Sequence, residues 1–391
     1  MVKADLDVTD DFAYLTQFLP PQWRAKAKAL GALRRCRKVK DAETLLRVLL
    51  IHLAEGCSLR ETAVRARAGK LVDLSDVAIM DRLKQAGEWF RWMNAEIMNR
   101  WVAKPPATVF GTRWNVRLVD GTRVKEPGPT GSSWCIHYSI GLPSLACDEL
   151  HVTDSHGEGE SFCRFSVRPG DLLIGDRAYG VRPGIFHVCD QGGDVLVRFA
   201  IDNLPLHTPA GRPFDLLKPL RTLTGTKLGD WPVRLRGNGH DVAGRVCAIK
   251  KSRQAAEKAR RHARRQAQKN GSQVKPETLE AAGYIFVFTT IARELLPASA
   301  ILEMYRGRWQ IEPVFKRLKS IVALGPLRKV DPQSARAWIQ GKLLVAFLIE
   351  ALIQCGDGFF PWGYPLFETA GPQSLSVAGR TVHASFAPEN R

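Results

Sequence analysis

From Trp114 onward the apolar residues change their spacing from a helical period to two, and that switch limits the fold more than any other feature of the chain. Val116 and Leu118 lead into a turn at Asp120-Gly121-Thr122, giving a strand that ends on a carboxylate. Trp134, Ile136, Tyr138 and Ile140 alternate with Cys135, His137 and Ser139 as a second strand, and Leu150 to Thr153 form a short third. Leu172-Leu173-Ile174-Gly175 is a compact apolar strand that again ends on a carboxylate, Asp176. Asp194 to Ile201 and Tyr284 to Thr290 are further strands; helical patterns follow from Pro297 to about Ile321 and from Ser334 to Gln354. Antiparallel strands first, then mixed strands and helices, predict an α/β core with helices on both faces.

Residues 1–105 carry helical periodicity. Asp41 to Ala54 is nearly continuous in Leu, Val and Ile, which suits a buried helix that Gly56 ends. Ser58 then caps a second helix, with Glu61 three residues on completing a capping box, and Ser75 caps a third running toward Met98. A helix pair in a basic N-terminal region permits DNA contact, although simple bundle packing accounts for the same pattern. Lys104-Pro105-Pro106 marks the boundary.

Composition excludes several classes. Hydrophobic residues make up 45% and charged residues 25%, which supports a packed core and rules out wholesale disorder. Lys plus Arg total 57 against 39 Asp plus Glu, and the resulting +18 draws the chain to polyanions. A membrane protein is not expected: the longest apolar stretch, Trp338 to Gln354, carries Lys342 and Glu350 and falls short of the roughly 20 residues a span needs. The N-terminus is acidic and has no apolar segment of the secretory kind. The eight cysteines form no CxxC pair and the nine histidines no HExxH pattern, so a zinc enzyme is not expected, and a cytoplasmic protein with reduced thiols is.

Residues 202–283 form a distinct block. Within it, Lys250 to Lys269 hold nine Lys or Arg against one Glu, nearly half the net charge in 20 residues. A solvated helix or loop and a phosphate-tracking arm both fit this run.

Chemistry concentrates in the segment from Tyr305 to Lys319. On a helix, Tyr305, Arg308, Glu312, Lys316 and Lys319 fall within an arc of about 80°. An aromatic, three cations and one carboxylate make a poor core stripe; a phosphate-gripping edge with one metal ligand fits, as does a solvated salt-bridged face. Pro313 removes an amide directly after Glu312 and should kink or break that helix. Asp148, Asp154, Asp171 and Asp190 read as turn or cap residues, since none combines a strand end with the surrounding pattern.

The spacing Tyr-x2-Arg-x3-Glu-x6-Lys, filled by Tyr305, Arg308, Glu312 and Lys319, resembles the Tyr-Arg-Glu-Lys signature of DDE transposases of the insertion-sequence-four family. Leu118 to Thr122 and Arg168 to Tyr179 are similar to the segments that carry that family's two aspartates, Asp120 and Asp176 here. The likeness runs from about residue 40 to 355. It implies a ribonuclease-H-like mixed sheet with helices on both faces, interrupted by an insertion domain and preceded by an all-helical domain. The expected units are 1–105, helical and DNA-binding; 106–201 and 284–360, the two parts of the catalytic core; 202–283, the insertion with its basic arm; and 361–391, a mobile tail.

The same resemblance implies an activity. Asp120, Asp176 and Glu312 would be the catalytic carboxylates and the ligands of two Mg²⁺ ions, with Mn²⁺ able to substitute; hard cations of this kind take oxygen donors. Tyr305, Arg308, Lys316 and Lys319 would hold DNA, and Tyr284, 21 residues before Tyr305, would stack a base flipped out beside a DNA hairpin. The partners implied are double-stranded DNA at element ends and target, and a second copy of the chain in the DNA complex, in a bacterial cytoplasm at the nucleoid. Two alternatives stand beside this reading: a catalytically inactive, transposase-derived DNA-binding protein, and a ribonuclease-H-like nuclease without strand transfer.

Overall fold

The structure of the protein, a computed structural model, describes residues 11–34, 37–102, 114–125, 133–154, 159–325, 327 and 331–355. The expected boundary at 104–106 and the tail from 361 lie outside the described residues.

Six helices come first: α1 (Asp11–Thr16), α2 (Trp23–Ala29), α3 (Ala42–Ala54), α4 (Leu59–Ala68), α5 (Asp76–Gln85) and α6 (Gly87–Val102). Their starts follow from side chains that accept otherwise unpaired first-turn amides. Asp41 Oδ1 accepts from Thr44 N–H at 2.7 Å, Ser58 Oγ from Glu61 N–H at 3.1 Å, and Ser75 Oγ from Ala78 N–H at 3.2 Å. The helix expected to run from Ser75 toward Met98 is interrupted at Ala86, which separates α5 from α6.

The sheet follows. It comprises β1 (Asn115–Lys125), β2 (Ser133–Gly141), β3 (Cys147–Thr153) and β4 (Asp171–Gly175), then α7 (Arg182–Asp190) and β5 (Asp194–Arg198). The 202–283 block supplies β6 (Leu206–His207), α8 (Leu217–Arg221), β7 (Leu228–Gly237), β8 (His240–Lys250), α9 (Arg253–Lys269) and α10 (Pro276–Ala281) before β9 (Tyr284–Thr289). The chain ends in α11 (Ala298–Arg306), a 3₁₀ turn at Gly307–Gln310, α12 (Ile311–Ser320) and α13 (Pro332–Cys355). All nine strands form one mixed sheet in the order β3-β2-β1-β4-β5-β9-β8-β7-β6. β4 and β5 run parallel to β1, and β1, β2 and β3 are antiparallel neighbours. That arrangement is consistent with a ribonuclease-H-like core. The strands of the 202–283 block extend the same sheet through β9, where the sequence offered only a block of unassigned structure.

The sheet separates two cores. On one face α3, α5 and α6 pack against α13, and this layer joins α11, α12 and the inner residues Val116, Leu118, Ile136 and Ile174. On the other, α7, α8 and α10 cover Val119, Leu173, Val195, Val197 and Phe286. Because successive strand residues point to opposite faces, Leu118 serves the first core and Val119 the second.

Two expectations change. Asp120 does not end its strand: β1 continues through Gly121 and Thr122 to Lys125, because β2 keeps pairing with it (Gly121 opposite His137, Val124 opposite Trp134). The parallel pairing with β4 stops at Leu118–Ile174, so Asp120 lies just past the edge of that ladder, beside the end of β4. The second change concerns Pro313. The break falls earlier, in the 3₁₀ turn at Gly307–Gln310, and Pro313 lies in the first turn of α12, where its missing N–H has no intrahelical partner to lose.

Candidate active site

Three separate elements bring the acidic residues together. Asp120 projects from β1 beyond the β4 ladder, Asp176 follows β4, and Glu312 stands on the exposed face of α12. Local hydrogen bonds orient both aspartates: Gly121 N–H donates to Asp120 Oδ1 at 2.8 Å, and Ala178 N–H to Asp176 Oδ1 at 2.8 Å, capping a 3₁₀ turn. α12 buries Ile311, Val314, Phe315 and Leu318, and this stripe turns Glu312, Lys316 and Lys319 outward together.

Arg308 joins two of the acids. Its guanidinium lies 3.4 Å from Asp120 Oδ2 and 2.8 Å from Glu312 Oε1, so β1 and α12 meet on one cation. Tyr305 is half-buried, and its ring packs against the first core beside Arg308. Burial pushes the Asp120 carboxyl up to about 6, with the Asp176 and Glu312 charges adding to the rise and Arg308 opposing it. Crowded carboxylates in a low-dielectric setting are what a bound cation relieves. Among the described residues no three His, Cys, Asp or Glu side chains stand as a ready-made metal group. The positive charge beside Asp120 and Glu312 is that of Arg308. The donors are all carboxylate oxygens, which suits a hard divalent cation.

A fourth acid stands close by. Burial and the charges of Asp120 and Asp176 push Glu160 up to about 7. No sequence feature singles it out, since it sits in no strand and matches no signature. The signal lay in Gly121, because a glycine inside a strand often marks a close approach by another group.

Beside the acids is a cavity of about 460 Å³. Leu228, Ile249, Ile285 and Leu302 give it apolar walls, while Arg198, Lys251 and Arg308 bring cations to it. Desolvation, together with repulsion from Arg198 and Arg177, holds Lys251 down to about 8. Tyr284 lies elsewhere: it is buried in the second core, and its neighbour Ile285 is the β9 residue that lines the cavity. The base-stacking role expected of Tyr284 has no support in that placement. The competing acids have other employment. Asp148 and Asp171, with Glu149, surround the buried Arg117, and Asp190 pairs with His240 at 2.9 Å.

Comparison with known proteins decides the family. The family model described as "Transposase DDE domain" matches residues 151–348. The InsL protein of insertion sequence element IS186A from Escherichia coli (strain K12) is 34% identical over 348 residues, covering 88% of this chain and 93% of that protein. The chain belongs to the DDE transposases of the insertion-sequence-four type. The transposase for insertion sequence element IS421 of Escherichia coli is 34% identical over 349 residues, with the same coverage. A more distant relative, the transposase for insertion sequence element IS231F from Bacillus thuringiensis subsp. israelensis, is 23% identical over 264 residues, 60% of this chain and 55% of that protein.

Proposed function

We propose that this transposase binds the ends of an insertion sequence, cleaves them and joins the freed 3′-hydroxyls to target DNA. The observation that carries the reading is the meeting of Asp120 from β1 and Glu312 from α12 on Arg308, with Asp176, just past β4, adding its charge beside Asp120. Neither a purely binding descendant nor a structural protein needs like charges held this close against their own repulsion.

Asp120, Asp176 and Glu312 would hold two Mg²⁺ ions, or Mn²⁺ in their place, which when bound activate the attacking oxygen and stabilise the leaving one. The remaining residues act on the DNA. Arg308 offers a planar fork that can leave one carboxylate for a phosphate, and Lys316 and Lys319 present point charges on the same exposed face. Arg198 and Lys251 place further positive charge in the adjacent cavity, and the exposed cations of α9 extend it along the surface. Ser58-capped α4 and the neighbouring α5 are the helix pair for end recognition in the helical region 1–105, and 202–283 is the insertion carrying the basic arm. Two ends must be joined in one reaction, so a homodimer bridging them is the working assembly.

Supercoiled plasmid carrying the element ends tests the reading. Insertion products with Mg²⁺ support it; retarded bands alone would indicate a binding-only descendant, and cuts alone a nuclease.

A further inference from the structure

Glu312 approaches Asp120 from the α12 side of the sheet. On the other side, the residue after Asp120 is Gly121, and a Cβ built there would lie 2.5 Å from Glu160 Oε1, 2.8 Å from its Cγ and 2.9 Å from its Cδ. The Glu160 side chain therefore lies flat on the β1 backbone in space that only a glycine leaves open. Phe162, two residues on, fixes the approach: it is fully buried in the second core, with its ring 5.0 Å from that of Tyr179. Tyr179 in turn folds back under the end of β4, so that a Cβ at Gly175 would meet Tyr179 Cβ at 2.7 Å and Phe162 Cζ at 3.0 Å.

Two polar groups are left over in this packing. Tyr179 is completely buried, yet its hydroxyl has no hydrogen-bond partner among the described residues, and the charges it feels most are those of Glu160, Asp120 and Asp176. A hydroxyl left unpaired in the interior is costly, so such a group usually marks a water or ion that completes the site. Glu160 is half-buried and enters no ion pair or hydrogen bond among the described residues. By contrast, Asp148, Glu149 and Asp171 of the same sheet all pair with Arg117. Among the described residues the charge of Arg123 opposes the rise without forming an ion pair with Glu160.

We propose that Glu160 is a fourth carboxylate of the metal site, seated on Gly121, facing the cation from the side of the sheet opposite Glu312, with the Tyr179 hydroxyl supplying a partner for a metal-bound water. This rests on the reading of Asp120 and Asp176 as metal ligands. It gives Gly121 a reason to be glycine, and it gives the orphaned hydroxyl a partner.

The test is Mn²⁺ binding to the full chain, followed by electron paramagnetic resonance of free Mn²⁺ and by the rise in Tm that Mn²⁺ produces. Glu160→Gln keeps the side-chain shape, and a melt without metal shows that it is folded. It should weaken Mn²⁺ binding by roughly 10-fold or more and shrink the Tm rise. Gly121→Ala should reproduce both effects by pushing Glu160 off the strand. Tyr179→Phe should weaken binding less while removing no buried apolar area. Wild-type Mn²⁺ affinity in Glu160→Gln, alongside a loss in Asp120→Asn, would overturn the assignment of Glu160 alone. Equal affinity in wild type and Asp120→Asn would overturn the metal reading itself, and the role of Glu160 with it.

Discussion

Arg308 and Asp120 lie 188 positions apart in sequence and 3.4 Å apart in space, one on the 3₁₀ turn before α12 and the other on β1. The same guanidinium holds Glu312 at 2.8 Å, so one arginine ties the two halves of the candidate site together. Its neighbours Tyr305, Glu312 and Asp120 hold its charge against the cost of desolvation. Arg308→Ala should lower strand transfer roughly 100-fold, the scale for losing one preorganised donor at a reacting centre. Arg308→Lys should rescue little, because an ammonium cannot span both acids as a planar fork does. Single-turnover cleavage of end DNA measures both, and wild-type rates in the Lys variant would remove the fork from the account.

Lys316 and Lys319 share the exposed face of α12 and form no ion pair among the described residues. Each that touches a phosphate releases about one counterion. Neutralising Lys319 should therefore weaken end binding and flatten the plot of log affinity against log salt by roughly one unit. An unchanged slope would show that Lys319 touches no phosphate.

Much of this site was legible because it is written locally. The spacing from Tyr305 to Lys319 is a helix-face pattern, and α12 presents Glu312, Lys316 and Lys319 together as that pattern requires. In β2 the expected apolar set, Trp134, Ile136, Tyr138 and Ile140, does lie together in the first core, although His137 and Ser139 between them are buried as well. Non-local relationships were not legible. Whether β1 ended at Asp120 depended on how far β2 would pair with it, and the cost of Pro313 depended on where the preceding helix stopped. The role of Tyr284 turned on which face of β9 it occupied, a matter of register with β8. Glu160 belongs to the same class: only the folded sheet sets it against Gly121.

Structural acids should behave differently from catalytic ones. Arg117 is only 7% exposed and meets Asp148 at 2.9 Å, Glu149 at 2.7 Å and Asp171 at 3.3 Å. Arg117→Leu would strand three inward carboxylates and should destabilise the protein by about 3–5 kcal/mol in urea unfolding. A loss below about 1 kcal/mol, the surface-pair scale, would mean that water reaches the cluster.

Glu350 on α13 gives the protein a pH dependence that needs no metal. Burial pushes its carboxyl up to about 7, with Arg317 at 3.9 Å opposing the rise. Between an ordinary glutamate value and 7 the folded state holds a proton that the unfolded state has released, so stability falls as pH rises through that window. The fall attributable to this group is at most about 3 kcal/mol. Glu350→Gln should flatten the decline in Tm from pH 5 to pH 8. An unaltered decline would place the titration elsewhere.

We hold that Asp120, Asp176 and Glu312 form one metal-dependent site for cutting and joining DNA. The most direct measurement compares Asp120→Asn, Asp176→Asn and Glu312→Gln with wild type on the same labelled end DNA, reading end binding by gel retardation and cleavage with Mg²⁺ on a sequencing gel. Each variant should still retard the DNA and each should lose cleavage and strand transfer together, leaving no cut product. Wild-type cleavage by any one of the three would contradict the claim.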